Sequence, residues 1–327
     1  MKILAVDDDP IILELLSEVL RAVGFTNLTL CGSAQLALEA IASSTVPFDC
    51  FLLDIQMPDM DGIELTAAIR AMPQYVQAPI LMITAMSDRS YIDSAFAAGA
   101  SDYITKPFEI GEVHARLRLI DSLVQERRQR EDRNPVATSE DPVAIVTQND
   151  LEKRLTPPDV DGFIDYLALE NYLLQMSRIS LFGMSVFGVV VPDMERVFRA
   201  SSLYEYEAAV SDFAEAISDC LKPHQFFAAH AGGGAFVCVL TDGLHFDHDR
   251  FEAALIDTIR EMDLHFCDGR PMTLVPVVGA DISLQLKSSR GAANALVQAL
   301  LDAESVAKTP RTKQTETSSP LKMLFGL

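Results

Sequence analysis

Hydrophobic runs and amphipathic stretches alternate through the first 130 residues. Short β-branched or leucine-rich runs predict strands, and each is followed by a segment with apolar residues at helical spacing. The predicted strands are Ile3 to Val6, Leu28 to Cys31, Cys50 to Leu53, Ile80 to Thr84 and Asp102 to Thr105. Five consecutive strand–helix units predict a doubly wound α/β fold, (βα)5, with a parallel sheet covered by helices on both faces.

The order of elements changes after about residue 160. The predicted strands are Met184 to Val191, Phe226 to His230, Ala235 to Leu240 and Met272 to Val278. The predicted helices are Ile164 to Arg178, Tyr204 to Leu221, Asp249 to Met262 and Ala292 to Ala307. Two adjacent strands joined by a glycine turn predict an antiparallel pair, and their mixture with helical crossovers predicts an α+β domain.

The expected domain organisation follows from these patterns. The fifth helix extends toward Arg130, and the stretch from 134 to 158 has the Pro-, Ser-, Thr- and acid-rich composition of a linker. We expect one domain at 1–125, the extended helix and linker at 126–160, a second domain at 161–310 and a tail at 311–327. The tail ends in an apolar segment, Leu321 to Leu327, which we interpret as a docking segment.

Charge and composition narrow the function classes. The chain has 47 acidic and 26 basic residues and a formal net charge of -21, so most of its surface repels a polyphosphate backbone. The basic run from Glu126 to Arg130 precedes Glu131 and Asp132, which favours a solvated helix end. We therefore expect no nucleic-acid partner.

The cysteines and the first residues bear on location. None of the five cysteines has CxxC spacing and most lie in apolar runs, which predicts buried thiols in a reducing compartment. The strand after Met1-Lys2 is too short for the apolar region of a signal peptide, and no later stretch reaches about 18 uninterrupted apolar residues. We expect a cytoplasmic protein without membrane contact.

Polar residues collect at the carboxyl ends of the predicted parallel strands. These residues are Asp7, Asp8, Asp54, Thr84 and Lys106. Such strand ends meet at one crevice, and three carboxylates tolerate each other there when a cation lies among them. Oxygen ligands suit Mg²⁺, and the central Asp54 is placed to act as a nucleophile toward a phosphoryl group. Lys106 and Thr84 would pair with that group.

Helix capping is the competing interpretation of the strand-end acids. Asp9 stands directly before Pro10, and an acid followed by proline at the first helical position is a good capping arrangement. We assign Asp9 to capping and keep Asp7 and Asp8 as metal ligands.

Four segments together resemble the receiver domain of two-component response regulators. They occur in the family's order and spacing over some 120 residues: Ile3-Leu-Ala-Val-Asp-Asp-Asp-Pro, Leu53-Asp-Ile-Gln-Met-Pro-Asp-Met-Asp-Gly, Ile83-Thr-Ala and Tyr103-Ile-Thr-Lys-Pro-Phe. The resemblance implies that a sensor histidine kinase or phosphotransfer protein phosphorylates Asp54. It also implies that Asp7 and Asp8 bind Mg²⁺ together with Asp54 and the backbone carbonyl of Gln56.

The same resemblance implies a switch. Thr84 and Tyr103 would form the switch pair, and Lys106, before a cis-like Pro107, would contact the phosphate. The phosphoryl group adds about two negative charges, and movement of the Thr84 hydroxyl toward it leaves space for the Tyr103 ring to turn inward. The face formed by helix 4, strand 5 and helix 5 would change, and a homodimer could form through the receiver and the extended fifth helix.

Three glycines lie between two strands of the second domain. Gly232, Gly233 and Gly234 suit a tight turn or a close backbone approach to phosphate, and taken alone they favour a flexible hairpin turn. The segment around them resembles the signature hairpin of diguanylate cyclase (GGDEF) domains, with Gly234 and Ala235 in place of the acidic pair. Further segments resemble the same family: Val189-Val-Val-Pro-Asp193-Met-Glu195, Asp165 to Asn171, Val275 to Ala280 and Leu301 to Lys308.

This resemblance implies a GGDEF-like, nucleotidyl cyclase-like α+β fold without the chemistry. Cyclization of GTP needs carboxylates that hold metal against the triphosphate, and Gly234 and Ala235 supply none. Asp193 and Glu195 remain, but one side of the metal cage is missing. We expect a catalytically inactive domain that acts through an unidentified downstream protein. The alternatives are a sensor of GTP or cyclic di-GMP and a weakly active diguanylate cyclase.

Overall fold

The structure is a computed structural model that describes residues 1–85, 89–133 and 148–308. The N-terminal domain contains a five-stranded parallel sheet with the order β2-β1-β3-β4-β5. The strands are β1 (Ile3–Val6), β2 (Leu28–Cys31), β3 (Cys50–Asp54), β4 (Ile80–Thr84) and β5 (Asp102–Thr105). The helices are α1 (Pro10–Ala22), α2 (Ala34–Ser43), α3 (Gly62–Arg70), α4 (Arg89–Ala97) and α5 (Ile110–Arg133). The predicted doubly wound α/β fold is confirmed.

Burial explains the apolar character of the central strands. Every residue of β1, β3 and β4 is buried, as expected for parallel strands covered on both faces. Helices α1 and α5 pack on one face, and α2, α3 and α4 pack on the other. The pairing of Val6 with Leu53 aligns the ends of β1 and β3, so that Asp7 and Asp54 leave the sheet side by side.

Two helix starts are fixed by acidic caps. The Asp9 carboxylate accepts a 2.8 Å hydrogen bond from the Ile11 amide, with Pro10 at the start of α1, as predicted. Asp61 and Glu64 form a reciprocal capping box at the start of α3. Such caps satisfy amides that the helix leaves without partners.

The C-terminal domain, described over residues 148–308, contains four longer helices, three longer strands and four short elements. Its helices are α6 (Gln148–Leu151), α7 (Tyr166–Gln175), α8 (Met194–Ala200), α9 (Leu203–Leu221), α10 (His248–Glu261) and α11 (Ser289–Lys308). Its strands are β6 (Ser185–Val190), β7 (Phe226–Gly232), β8 (Ala235–Leu240), β9 (Val277–Val278) and β10 (Ile282–Ser283). The sheet order is β10-β6-β8-β7, with β9 also paired to β6, and all of these pairings are antiparallel.

The predicted strand from Met272 to Val278 is wrong for most of its length. Only Val277 and Val278 pair with the sheet, as β9. Pro271 and Pro276 bracket the remaining residues, and proline has no amide hydrogen for a strand ladder. The short helix α8 and strand β10 were not anticipated from the sequence, because neither is long enough to show a periodic pattern.

Helices cover both faces of the second sheet, and one of its cores continues into the N-terminal domain. Helices α9 and α10 pack on one face, and α7 and α11 pack on the other. The cluster under α7 and α11 is continuous with the cluster under α3 and α4. Within the described ranges, no helix combines the length and apolarity needed to cross a membrane. The linker stretch 134–147 and the apolar tail segment Leu321 to Leu327 lie outside the described residues.

Candidate functional site

Three carboxylates converge at the carboxyl edge of the parallel sheet. Asp7 follows β1 and is 1% exposed, Asp54 ends β3 and is 4% exposed, and Asp8 is exposed to solvent. One oxygen from each of the three lies within 4.8 Å of the others. Among the described residues, these three acids form the cluster of side chains that is close enough to hold a metal ion. The structure therefore brings the predicted acidic residues together.

Lys106 enters the same crevice from the end of β5. Its ammonium lies 2.6 Å from Asp7 Oδ2 and 3.2 Å from Asp54 Oδ1. Its amide donates a 2.7 Å hydrogen bond to the Thr84 carbonyl, which fixes the backbone at the edge of the sheet. The Lys106–Pro107 peptide bond is cis, in agreement with the sequence analysis. One cation thus bridges two of the three acids.

The charge of Asp54 is only partly compensated. Burial raises the pKa of the Asp54 carboxyl and the nearby charge of Asp7 adds to this, although Lys106 and the Gln56 amide oppose the shift. Asp54 Oδ1 receives no well-directed hydrogen bond despite its proximity to Lys106. A buried carboxylate oxygen without a donor favours a bound cation.

The donor set fits Mg²⁺. Oxygens that share one Mg²⁺ at about 2.1 Å lie at most roughly 4.2 Å apart, and the observed grouping within 4.8 Å is close to that limit. All three donors are carboxylates, one of them solvent-exposed, which suits an ion that retains several waters. Asp7, Asp8 and Asp54 are the residues that would hold it.

The loop after β3 folds back over Asp54. The Gly62 amide donates a 2.9 Å hydrogen bond to the Ile55 carbonyl, and a Cβ at Gly62 would lie 2.0 Å from the Asp54 carbonyl oxygen. Gly62 is required here because only a glycine permits this approach of two backbones. The Gln56 amide, in turn, hydrogen-bonds the Asp54 carboxylate.

The two predicted switch residues lie on the neighbouring strands β4 and β5. Thr84 is fully buried at the end of β4, next to Thr105 of β5. Tyr103 is 7% exposed, and its ring meets the Phe96 ring of α4 edge-to-face at 6.3 Å. Burial raises the pKa of Tyr103 to about 12, so the side chain is a neutral phenol.

The family model for the response regulator receiver domain matches residues 3–118. Over 108 residues the chain is 39% identical to the chemotaxis protein CheY of Pseudomonas aeruginosa, a match that covers 33% of this chain and 86% of CheY. The chain belongs to the response regulator receiver family. Its receiver domain is a phosphoacceptor module of two-component signalling.

Other relatives share only the receiver domain. The chain is 38% identical over 114 residues to the signal transduction histidine-protein kinase BarA of Escherichia coli, covering 35% of this chain and 12% of BarA. It is 40% identical over 116 residues to the transcriptional regulatory protein YvrH of Bacillus subtilis, covering 36% of this chain and 47% of YvrH. The chain thus spans between an eighth and a half of the length of these two relatives.

Sequence reasoning missed a contact between the receiver domain and α7 of the C-terminal domain. The Tyr172 hydroxyl donates a 2.8 Å hydrogen bond to the Asp93 carboxylate of α4, and its ring packs edge-to-face on Phe96 at 5.4 Å. Burial raises the pKa of Asp93, partly offset by the Tyr172 hydroxyl and Arg89. Local sequence patterns do not predict this contact, because Asp93 and Tyr172 are 79 positions apart in the sequence.

Further polar contacts flank this aromatic pair. The Arg89 guanidinium donates to the carbonyls of Thr241, at 2.6 Å, and Ser180, at 3.4 Å. The Asn171 side chain donates a 3.0 Å hydrogen bond to the Ser101 carbonyl just before β5. The receiver face of α4 and β5 is therefore covered by the same chain.

The glycine hairpin of the C-terminal domain packs against backbone. Gly232, Gly233 and Gly234 all have positive φ, at 97°, 61° and 77°. The Gly233 amide donates a 2.9 Å hydrogen bond to the Leu151 carbonyl, and a Cβ at Gly232 would lie 2.4 Å from the Glu152 carbonyl oxygen. The backbone of Leu151 and Glu152 therefore makes the close approach to the glycines that the sequence analysis considered for a phosphate.

The remaining acids of the predicted cyclase site point to solvent. Asp193 lies 3.6 Å from Arg196, and Glu195 lies 2.5 Å from Arg199 on the same helix, α8. Gly234 faces Met194, where a Cβ would lie 2.4 Å from the Met194 Cβ. Within the described residues, the structure does not group Asp193 and Glu195 with a third acid into a metal site.

Proposed function

We propose that Asp54 accepts a phosphoryl group from a sensor histidine kinase or phosphotransfer protein. The observation that carries this proposal is the convergence of Asp7, Asp8, Asp54 and Lys106 at one sheet edge, with one oxygen from each acid within 4.8 Å of the others. The arrangement gives a buried nucleophile, flanking anionic ligands and one fixed cation. These are the groups that phosphoryl transfer to a carboxylate requires.

The transfer step follows from the chemistry of the acids. An Asp54 carboxylate oxygen attacks phosphorus, the P–O bond to Asp54 forms as the P–N bond to the donor histidine breaks, and the released imidazole nitrogen regains a proton. Lys106 neutralises charge on the transferred phosphoryl oxygens. Mg²⁺, held by Asp7, Asp8, Asp54 and the Gln56 carbonyl, would supply further charge neutralisation.

The readout of the proposed modification uses Thr84 and Tyr103. The Thr84 side chain would donate a hydrogen bond to the phosphoryl group, and the Tyr103 ring would turn into the space that it leaves. The face of α4, β5 and α5 would then change, and a homodimer through the receiver and the extended helix α5 is part of the proposal. We propose a cytoplasmic protein whose output is an unidentified downstream protein.

We propose that the C-terminal domain is a degenerate GGDEF-like domain, inactive as a diguanylate cyclase. The solvent-facing ion pairs of Asp193 and Glu195 support this proposal, as does the packing of the glycine hairpin on Glu152. A cyclase assay and calorimetry with GTP and cyclic di-GMP test it, and formation of cyclic di-GMP would overturn it.

The phosphoacceptor assignment is tested with acetyl phosphate and Mg²⁺, with intact mass as the readout. The wild-type chain should gain one phosphoryl group and Asp54→Asn should gain none. Asp8→Asn should lose most labelling because it removes a proposed metal ligand. Asp9→Asn is the matched control, since Asp9 caps α1, and it should label normally. Equal behaviour of the wild-type and Asp54→Asn chains would refute the assignment.

A further inference from the structure

Two loops at one end of the C-terminal sheet hold large apolar side chains in solvent. One loop, residues 176–184, joins α7 to β6, and the other, residues 284–288, joins β10 to α11. Ile179 is 87% exposed, Phe182 is 64% exposed and Leu286 is 86% exposed. We call these three residues the apolar patch. Large apolar side chains are mostly buried in folded proteins, and a group of them on the surface marks an interaction site.

Hydrogen bonds tie the two loops of the apolar patch together. The Leu284 amide donates a 2.9 Å hydrogen bond to the Met184 carbonyl. The Ser289 hydroxyl donates a 2.9 Å hydrogen bond to the Met176 carbonyl. These bonds join the loops at both ends, so the three exposed side chains belong to one surface although they come from two parts of the chain.

The backbone holds Leu286 outward. Its φ is +63°, in the left-handed region, which is unfavourable for a residue with a Cβ. Leu284, two positions earlier, has no exposed surface and anchors the loop in the core. Strained backbone of this kind persists where the surrounding structure fixes it, and it concentrates at functional sites. The loop therefore presents the Leu286 side chain to solvent in a fixed position.

Cations surround the apolar patch. Arg178 and Lys287 are direct sequence neighbours of patch residues, and Arg290 lies at the start of α11. Within the described ranges none of these three cations forms an ion pair with a carboxylate, and neither loop contains an acid. Asp281, on the other side of β10, lies 3.2 Å from a ring nitrogen of His248. This surface is therefore locally positive on a chain whose net charge is -21.

Protruding apolar side chains beside unpaired cations fit the surface of an anionic membrane. Apolar side chains gain free energy at the boundary between headgroups and acyl chains, and lysine and arginine are attracted to anionic headgroups. A protein partner would have to offer a matched pocket to each protruding side chain, whereas acyl chains adapt to its shape. Repulsion between the lipid and the distant acids of the chain is screened beyond about 8 Å at physiological ionic strength.

We propose that the apolar patch, together with Arg178, Lys287 and Arg290, is a docking surface for an anionic lipid bilayer. The apolar side chains enter the interfacial region, and the cations contact the lipid phosphates. No continuous stretch of sequence predicts this surface, because its two loops are about 100 positions apart. It is an exception to the absence of membrane contact that we expect from the sequence. Membrane docking does not require phosphorylation of Asp54.

Flotation of the full chain with lipid vesicles tests this proposal. One set of vesicles is phosphatidylcholine, and the other contains roughly one third phosphatidylglycerol as the anionic lipid. The wild type should bind the anionic vesicles reversibly and the neutral vesicles at least roughly tenfold more weakly, because each cation near an anionic surface contributes about fivefold. Added salt should weaken binding to the anionic vesicles. Absence of binding to the anionic vesicles would refute the proposal.

Substitutions in the apolar patch separate insertion from general stickiness. Leu286→Ser should bind anionic vesicles roughly tenfold more weakly than the wild type, because it removes one inserted side chain. Leu301→Ser is the matched control: Leu301 is 59% exposed on α11, next to Asp302, and this variant should bind normally. Equal binding of the two variants would overturn the assignment. Leu286→Gly relieves the left-handed strain, so it should unfold at a higher temperature than the wild type and still bind weakly.

Substitutions of the cations test the electrostatic part. Arg290→Gln and Lys287→Gln should each weaken binding to anionic vesicles roughly fivefold and leave binding to neutral vesicles unchanged. Arg250→Gln is the control, because Arg250 is exposed on α10 and has no ion pair in the described part of the chain. A loss for Arg250→Gln equal to the loss for Arg290→Gln would show that net charge, and not this surface, determines binding.

A synthetic amphipathic helix of leucine and glutamate is the second probe, because an acidic protein segment shares the chemistry of the proposed ligand. If the wild type binds this peptide and leaves the anionic vesicles free, the membrane assignment is overturned and the surface is a protein-docking site. Asp54→Asn should bind vesicles like the wild type. Failure of vesicle binding would therefore leave the phosphoacceptor assignment intact, and failure of labelling by acetyl phosphate would leave membrane docking intact.

Discussion

At the scale of single residues, the acidic crevice depends on a close approach of two backbone segments. Gly62 permits the loop after β3 to pass over Asp54, and any Cβ there would overlap the Asp54 carbonyl. The position of the nucleophile Asp54 therefore depends on Gly62, a residue that has no functional side chain.

Gly62→Ala should therefore damage both stability and labelling. The clash, at 2.0 Å, involves backbone and cannot be relieved by a rotamer change, so we expect a loss of about 2–3 kcal/mol and slower labelling of Asp54 by acetyl phosphate. Gly111→Ala is the control, because no atom lies within 4 Å of its new Cβ in α5. It should stabilise the protein by about 0.5–1 kcal/mol and label normally. Normal labelling of Gly62→Ala would contradict the argument.

Buried His230 should make the protein less stable in acid. Its Nδ1 accepts a 3.0 Å hydrogen bond from the Leu155 amide, so the ring is neutral with its proton on Nε2. Burial lowers the pKa of His230 to about 4 from 6.5. As the pH falls, the unfolded chain takes up a proton on this imidazole before the folded chain does. The contribution of the buried neutral imidazole to folding stability is therefore fully present above pH 6.5 and is lost as the pH falls toward 4. The loss is on the order of 3 kcal/mol.

Urea unfolding between pH 7 and pH 4 checks this effect. His230→Gln should be less stable at neutral pH, since it disturbs a buried site, but its stability should depend less on pH than that of the wild type. His265→Gln, at an exposed position, should retain the wild-type slope. A His230→Gln slope as steep as that of the wild type would assign the pH dependence to other groups.

At the scale of elements, the sequence predicts best where structure is local. Long periodic segments such as α9 and α11 were located to within a few residues, and the acids of the crevice were found because each follows an apolar strand. The strand predicted at Met272 to Val278 was wrong because an apolar run interrupted by Pro276 does not form a ladder. The Tyr172–Asp93 contact could not be found in this way, because each residue only continues the pattern of its own helix.

The glycine hairpin gives an element-scale prediction. Gly232 and Gly233 both have positive φ, but only at Gly232 would an added Cβ meet another segment, at the Glu152 carbonyl. Gly233→Ala should cost about 1–2 kcal/mol of backbone strain and leave the segment 148–155 attached. Gly232→Ala should cost more and speed hydrogen–deuterium exchange of the Leu155 amide, because Glu152 has to move. Equal exchange in the two variants would show that the hairpin does not hold this segment.

At the scale of the whole molecule, one hydrophobic core crosses from the receiver into the C-terminal domain, so the two should unfold together. Phe96 lies at the crossing, in contact with both Tyr103 and Tyr172. Phe96→Leu should cost about 1–3 kcal/mol through a smaller side chain and two lost aromatic contacts. We expect calorimetry to show one transition for the wild type and two for Phe96→Leu.

The control for this prediction separates loss of coupling from loss of stability. Phe251 is similarly buried and contacts Phe187 and Phe246 within the C-terminal domain. Phe251→Leu should lower the transition temperature by a similar amount but leave a single transition, because the shared core under α4 and α7 is intact. If the two variants give the same calorimetric profile, the domains unfold independently of the Phe96 contact, and the receiver would have to communicate with the C-terminal domain by another route.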